Sequence, residues 1–419
     1  MQLKQKVLAM ILAGGRVDEL NVLTASRPKS AVPFGGFARV IDFPLSNLMH
    51  SGLELVAILS QYRSFSLINH IGVGAAWDMI GRHRGVSILP PSQGAAQSSW
   101  YRGSADAIHQ NLDFVRYHDP ETILILSGDH VYRMDYREII DYHREKDADL
   151  TIACLQVPMR SAHRFGVAEI DDEDGERGGR IRQYQEKPTD PRFNWASLTV
   201  YCFKPGVLYE VLERNAREDS SFEFGRDIIP RIMAGGYRVY GFKFHGYWGY
   251  TRTIAEYWQT SMDLLGEKPK IPLADWGIRT NLEHRAVRDY QPLKVGAGGT
   301  IHNSLVYNGC VVEGRVENSI LFPGVQVKPG AVVKNSVLFF DTVVGAGCLL
   351  DKVVSDVNVV VGDGARIGRL EGAAEREVTV LGADNHIPEG QVIGSGCTLH
   401  PSLLPGTMVR EIKDGEVVR

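Results

Sequence analysis

"NSLVYNGCVVEGRVE" (303–317), "NSILFPGVQVKPGAVVK" (318–334), "NSVLFFDTVVGAGCLLD" (335–351) and "KVVSDVNVVVGDGARIG" (352–368) follow one another without a gap. They repeat at steps of 15, 17 and 17 residues, and each unit carries two or three short β-branched runs divided by Gly, Asn, Asp or Pro. A unit that short cannot bury its own apolar side. Stacked on its neighbours it can, so the period predicts a parallel β-helix. A β-sandwich is the alternative, and successive units in near-register disfavour it. "VIGSGCTLHPSLLPGTMV" (392–409) reads as further coil.

Upstream of about residue 265 the pattern differs. "KVLAMILAGG", "ELVAILSQ", "TILILSGDH", "ADLTIACLQV" and "SLTVYCF" read as buried strands bounded by Gly, Asp or polar residues. Between them, "SADAIHQNLDFVRYH" and "YREIIDYHREKD" carry apolar residues at helical spacing. Such alternation predicts a mostly parallel sheet with helices on both faces, and ligands on such sheets bind at the carboxyl ends of the strands. The stretch 266–298, with two prolines close together and no sustained period, reads as a connector packed across both domains.

Composition narrows the function. The chain has 419 residues and a formal net charge of −4, which gives no electrostatic reason to expect nucleic acid or an anionic membrane as partner. No apolar run reaches the roughly 20 residues of a membrane span, and the N-terminal stretch is too short to read as a signal peptide. Five scattered cysteines, never in a CxxC pair, argue against disulfides or a zinc site and for a cytoplasmic setting.

Motifs in order along the first part carry a resemblance. They are "LAGG" (12–15), "RPKSAVPFGG" (27–36), "IDFPLSN" (41–47), "WYRGSADAIHQNLD" (100–113), "SGDHVYRMDY" (127–136), "FGVAEID" (165–171), "EKP" (186–188) and "FGRDIIP" (224–230). Together they resemble the ADP-glucose pyrophosphorylase (glucose-1-phosphate adenylyltransferase) family over nearly the whole chain. The resemblance implies an α/β architecture: a nucleotidyltransferase-like, Rossmann-like, mostly parallel sheet domain over 1–265, a connector over 266–298, and a left-handed parallel β-helix over 299–419. It also implies a reaction, ATP plus glucose 1-phosphate giving ADP-glucose and pyrophosphate by in-line attack on the α-phosphorus. Such chemistry is mainly positioning and charge neutralisation, with Mg²⁺ held by carboxylates.

Carried over by motif, Ala13, Gly14 and Gly15 open the nucleotide loop, Gln61 reads adenine, and Gly103, Ser104 and Asp106 complete the nucleotide side. Asp106 reads equally well as the N-terminal charge of a helix. Lys29 contacts the triphosphate and Asp129 is the first metal carboxylate; Glu186, Lys187 and Ser197 take the glucose phosphate. On the effector side, Arg27 is kept, Ser26 stands where the family has a lysine, and Arg39, Arg63 and Arg279 are further candidate contacts for an anionic sugar-phosphate effector. His130 reads as structural, because phosphoryl transfer of this kind needs no acid or base there.

Departures from the family pattern are equally specific. Gly-Gly-x-Gly-Thr-Arg-Leu appears as Gly14-Gly15-Arg16-Val17-Asp18-Glu19-Leu20, so Glu19 stands in place of the catalytic arginine. Tyr-Trp-Arg-Asp-Val-Gly-Thr appears as Tyr247-Trp248-Gly249-Tyr250-Thr251-Arg252-Thr253, so Tyr250 replaces the second metal aspartate. Two unit charges about 5 Å apart at an effective dielectric near 20 interact by about 3 kcal/mol, and exchanging attraction for repulsion doubles the difference. That corresponds to about 10⁴ in rate or binding. The complementary signs of Glu19 and Arg252 predict an ion pair closing the altered site. The sequence therefore predicts a family member of weak or lost catalysis. Its expected role is regulatory, in a homo- or hetero-tetramer with a catalytic homologue. The alternatives are a fully active enzyme and a nucleotidyltransferase for another sugar or base; Gln61 speaks against the last.

Overall fold

The computed structural model describes residues 6–419 apart from 16, 83, 92–99, 219, 284–286, 288, 369–376, 405 and 409–410. Nine strands form the central sheet: β1 (Val7–Leu12), β2 (Leu55–Leu59), β3 (Gly85–Leu89), β4 (Thr122–Ser127), β5 (Leu150–Gln156), β6 (Gly166–Ile170), β7 (Gly178–Glu186), β8 (Trp195–Phe203) and β9 (Val239–Lys243). Their order is β3-β2-β1-β4-β8-β5-β9-β7-β6. The five strands expected from apolar runs are all there. Four of them are parallel where they pair with one another or with β3 and β9, while β8 runs antiparallel to both β4 and β5.

Period-two alternation explains why β1 is apolar throughout. Val7, Ala9 and Ile11 enter one core, and Leu8 and Met10 enter the other. The first core is covered by helices Asp42–His50, Phe65–Ile71 and Tyr136–Glu145; the second by Ser104–His109, Leu112–His118, Pro205–Ala216 and Ile229–Ala234. "SADAIHQNLDFVRYH" therefore forms two helices instead of one. Asn111 interrupts it, its side-chain amide donating to the Tyr101 hydroxyl (3.0 Å) and the Ala107 carbonyl (2.8 Å).

The C-terminal part is a parallel β-helix of three faces, with six, seven and seven strands. On one face Val311, Gln326, Val343 and Val360 stack in register, reproducing the steps of 15, 17 and 17 residues. One corner is marked by left-handed residues at successive rungs, Asn303, Asn318, Asn335 and Lys352, with φ of 44°, 45°, 49° and 59°. Asn tolerates this conformation better than other non-glycine residues. Strands Val392–Ile393 and Thr398–Leu399 continue the coil as expected. The first rung is already present at Lys294–Val295, paired with Val311–Val312 inside the stretch expected to be connector.

The seam between the two parts is a third core. It joins Phe34, Phe43 and Tyr257 to Ile320, Phe322, Val337 and Phe339, with Ile271, Trp276 and Ile278 of the connector between. Edge-to-face pairs cross it, such as Phe43–Trp276 (6.1 Å) and Tyr257–Phe339 (6.1 Å), each contributing roughly 0.5–1.5 kcal/mol beyond burial. The Trp258 indole donates to the Asn335 carbonyl at 2.7 Å.

Candidate active site

Parallel pairing puts Leu12 beside Ser127, so the Ala13–Gly15 loop and the Gly128–Asp129 loop leave the sheet side by side. A cleft of about 610 Å³ opens over them, lined by both loops and by segments around Gln61, Gly103, Glu186 and Phe224. Gly14 lies so close to Gln61 that a Cβ would stand 3.0 Å from its backbone nitrogen. The Gln61 side chain is itself fixed: its oxygen accepts from the Tyr101 N–H (2.7 Å) and its amide donates to the Tyr101 carbonyl (3.3 Å). One amide hydrogen and one lone pair remain for a base. A Cβ on Gly103 would lie 2.3 Å from the Phe222 carbonyl oxygen, so no side chain fits there. Ser104 donates to Glu223 (2.5 Å) and accepts from the Phe224 N–H (3.1 Å).

Asp106 matches the second of its two readings, a charge in the first turn of a helix. It is buried outside the cleft, accepting from the Arg102 N–H (2.9 Å), the Arg102 guanidinium (2.8 Å) and Gln110 (2.8 Å). Burial pushes its carboxyl up, and the Arg102 donors outweigh that and hold it below the usual range. It braces the first turn of its helix.

At the phosphate end, Lys29 is buried in a short turn after Pro28, with its Nζ 2.9 Å from Asp129 Oδ2. The Ser127 hydroxyl donates to the other Asp129 oxygen. Burial raises the Asp129 carboxyl, but Lys29, His130 and Ser127 together hold it well below the ordinary carboxylate range. Burial pushes His130 down to about 4 against the opposing pull of Asp129, so the ring is neutral at pH 7. It packs edge-on to Trp248 (5.1 Å) in a two-stranded ribbon, His130–Tyr132 against Trp248–Tyr250.

Tyr250 faces Asp129 from that ribbon. Its ring stacks on Trp248 (5.3 Å), meets Phe165 edge-on (5.1 Å), and has Lys29 Nζ at 5.2 Å and the Arg164 guanidinium at 5.4 Å. Burial raises the phenol above its ordinary value, with Arg252 opposing, so it stays protonated. Arg252 Nη1 donates to the Tyr250 hydroxyl at 3.4 Å, and Arg252 Nε donates to Glu19 Oε1 at 2.9 Å. The ion pair expected from the sequence is present. Glu19 is held below its ordinary value first by a backbone hydrogen bond, against some burial, and then by Arg252 and Lys29.

These residues do not fit a two-carboxylate magnesium site. Asp129 is already neutralised by Lys29, its partner position holds a protonated phenol, and no group of three or more His, Cys, Asp or Glu side chains among the described residues could hold a metal ion.

At the opposite end, Glu186 Oε2 accepts from the Tyr184 hydroxyl at 2.7 Å. The carboxylate fits only because Gly166 and Gly225 lack side chains; a Cβ on either would stand 2.5 or 2.2 Å from Oε2. Lys187 takes φ 44°, donates its N–H to Phe165 O (3.0 Å) and keeps its Nζ 3.9 Å from Glu186. Ser197 lines the cleft and bonds the Tyr201 hydroxyl at 3.3 Å. Thr199, also lining it, has φ 54°, a strained conformation for a β-branched residue.

Comparison with known proteins bears on what this cleft belongs to. The Nucleotidyl transferase family model matches residues 8–267, and a GlmU-like, C-terminal hexapeptide model matches residues 292–384. The chain is 47% identical over 410 residues to a glucose-1-phosphate adenylyltransferase of Thermotoga sp. (strain RQ2), covering 95% of each. It is 41% identical over 396 residues to one of Desulfitobacterium hafniense (strain Y51), covering 94% of this chain and 98% of the relative. This chain belongs to the glucose-1-phosphate adenylyltransferase family.

Within that family's pattern, the structure brings Ala13, Gly14, Gly15, Lys29, Gln61, Gly103, Ser104, Asp129, Glu186, Lys187, Ser197 and Tyr250 to one cleft, with Glu19 at its edge through Arg252. The effector-side arginines fare differently. Arg27 is buried, with both terminal nitrogens 2.9 Å from Asp356 Oδ1 on the β-helix. Arg39 is buried too, donating to the Ser66 carbonyl (3.0 Å) and hydroxyl (2.7 Å). Both are held by partners within the fold. Arg63 and Arg279 are exposed. Sequence reasoning missed Arg164, Thr199, Glu223 and Arg226, all of which line the cleft. Arg226 was within reach of it, as the residue after Gly225 in "FGRDIIP". No helix among the described residues is long and apolar enough to cross a membrane.

Proposed function

We propose that this chain binds ligands of the family reaction, ATP or ADP-glucose and glucose 1-phosphate, with little or no turnover of its own. Its role would be that of an effector-responsive regulatory subunit beside a catalytic homologue in a tetramer. The observation that carries this reading is the strap of Glu19, Arg252 and Tyr250 across the phosphate end. A carboxylate and a neutral phenol stand where an arginine and a metal carboxylate are expected. Lys29, kept from the family pattern, is paired with Asp129. Such catalysis draws most of its rate from electrostatic stabilisation of the reacting triphosphate, which is thereby weakened at two points. Magnesium would serve only a turning-over form, and no step of this reading passes through it. Among the effector-side arginines, Arg63 and Arg279 remain as solvent-facing contacts for an anionic sugar phosphate.

A second reading, a fully active enzyme, draws on the residues that are kept: Lys29, Gln61, Asp129, Glu186 and Lys187 all line the cleft. Pyrophosphorolysis of ADP-glucose by the isolated chain with Mg²⁺ separates the two. The regulatory reading expects a rate about 10⁴-fold below the ordinary 1–100 s⁻¹ of phosphoryl-transfer enzymes, and a gain in the double variant E19R/Y250D. Turnover within the ordinary range overturns it. Co-purification of a second homologue from the native source tests the assembly.

A further inference from the structure

Three cations meet the Tyr250 side chain, and each is matched by a carboxylate. Lys29 and Arg164 flank its ring and pair with Asp129 and Glu256, while Arg252 bonds its hydroxyl and pairs with Glu19. These pairs differ in how readily they exchange. Asp129 also accepts from Ser127, and Glu256 also accepts from the Thr253 N–H at 3.0 Å, closing the capping box of helix Ile254–Met262. Glu19 has no second side-chain partner among the described residues. Its side chain and that of Arg252 are 45% and 39% exposed, against 26% and 3% for Asp129 and Lys29. A pair so solvated is held weakly. Glu19 is therefore the carboxylate that an incoming anion displaces most easily.

Arg252, by contrast, is fixed by its neighbours on both sides. The Thr251 hydroxyl donates to the Asp129 carbonyl at 3.4 Å, and Thr253 caps the helix that follows. The guanidinium between them lines the cleft beside Tyr250. Because the Tyr250 oxygen accepts from Arg252, the hydroxyl hydrogen is left to donate. A guanidinium fork next to a phenol O–H matches the oxygens of a polyphosphate, just as a pair of carboxylates would match a metal ion. Where the family pattern expects an acceptor for magnesium, this chain presents donors.

We propose that Arg252 takes over the neutralising role of the divalent cation: the phosphate tail of an adenine nucleotide displaces Glu19 from Arg252, and Arg252 and the Tyr250 hydroxyl hold the tail without metal. Glu19 is then a tethered stand-in for phosphate, covering the cation until a nucleotide arrives. The inference rests on the reading that the cleft binds nucleotide without turning it over, but the two fail separately. Ordinary turnover by the parent chain refutes that reading, whereas affinity in the absence of metal, and its dependence on Arg252, decides this one.

The test is calorimetric titration of the full chain with ATP in EDTA. The parent is expected to bind ATP within about threefold of its affinity in Mg²⁺, and to bind adenosine at least about tenfold more weakly than ATP. R252Q should lose about 10–100-fold in affinity for ATP and keep its affinity for adenosine. E19Q should gain about tenfold for ATP, and the gain should vanish in E19Q/R252Q, because Glu19 acts through Arg252. Both side chains are partly exposed, so these variants should melt near the parent temperature and changed affinity reports the contact. ATP binding that appears only with Mg²⁺, adenosine bound as tightly as ATP, unchanged ATP affinity in R252Q, or a gain from E19Q that persists without Arg252 would each overturn the proposal.

Discussion

Removing Arg27 should cost several kcal/mol of stability at the seam between the two parts. Its guanidinium donates twice to Asp356 Oδ1, and the two side chains are only 8% and 1% exposed. Asp356 Oδ1 also accepts from the Val357 N–H at 2.7 Å, while Oδ2 has no partner. In R27A the carboxylate keeps one backbone donor and no countercharge, and breaking a buried pair from one side costs about 3–5 kcal/mol. D356A leaves the guanidinium stranded and should cost a similar amount. R27M/D356L removes both charges and should cost under about 2 kcal/mol, because the unsatisfied Oδ2 goes with them. The sum of the single losses should then exceed the double loss by at least about 3 kcal/mol. Urea denaturation followed by fluorescence suits the measurement, since all six tryptophans precede the β-helix and Trp258 bonds across the seam. The domains need not unfold together, so the tryptophan transition is the one to compare. Additive single losses, or an R27A cost below about 1 kcal/mol, would refute the reasoning.

E19Q should cost less than about 1 kcal/mol of stability, since the Glu19–Arg252 pair is partly solvated, yet free Arg252 to bind a polyphosphate more tightly in titrations with ATP. Because the folded Glu19 carboxyl sits below its ordinary value of 4.5, the pair is intact above that pH and lost as the pH falls through the lower folded value. His143 is pushed down to about 4, first by burial and then by Lys204 and Arg144, and it bonds Thr151 at 2.9 Å. The unfolded chain therefore takes up a proton that the folded chain refuses between about pH 6.5 and 4. Stability falls across that window as pH is lowered, and between pH 8 and pH 5 the parent should lose about 2 kcal/mol more than H143Q in urea melts. G225A places a methyl group against Glu186 and should weaken binding of glucose 1-phosphate at least tenfold, measured by calorimetry; unchanged binding would remove Glu186 from the ligand site.

Much of the architecture was legible because it is repetitive or local. The coil period is written in the chain, and apolar runs bounded by Gly, Asp or polar residues made β1 and β4 readable as buried strands. The strap was legible too, since Glu19 and Arg252 carry opposite charges in motifs that the resemblance brings together. What escaped was set by partners far away in sequence. Nothing near Arg27 announces that its counterion lies 329 residues on. The aromatic wall of Phe165, Trp248 and Tyr250 depends on a ribbon assembled from two distant segments, and Thr199 adopts its left-handed backbone at a break in the pairing of β8 with β5.

Because successive rungs differ mainly in which side chains they carry, the C-terminal domain behaves as a ruler graduated in whole turns. Apolar contacts with the first domain reach to about Ala383 and Asn21 donates to Thr398 at 3.3 Å, so the last rung, Glu411–Ile412 with Val417–Val418, lies beyond those contacts. Duplicating one 17-residue unit there would lengthen the prism by about 4.8 Å and carry its tip outward without disturbing Asp356 or the cleft. Evolution could thus alter the reach of this end independently of what the other end binds.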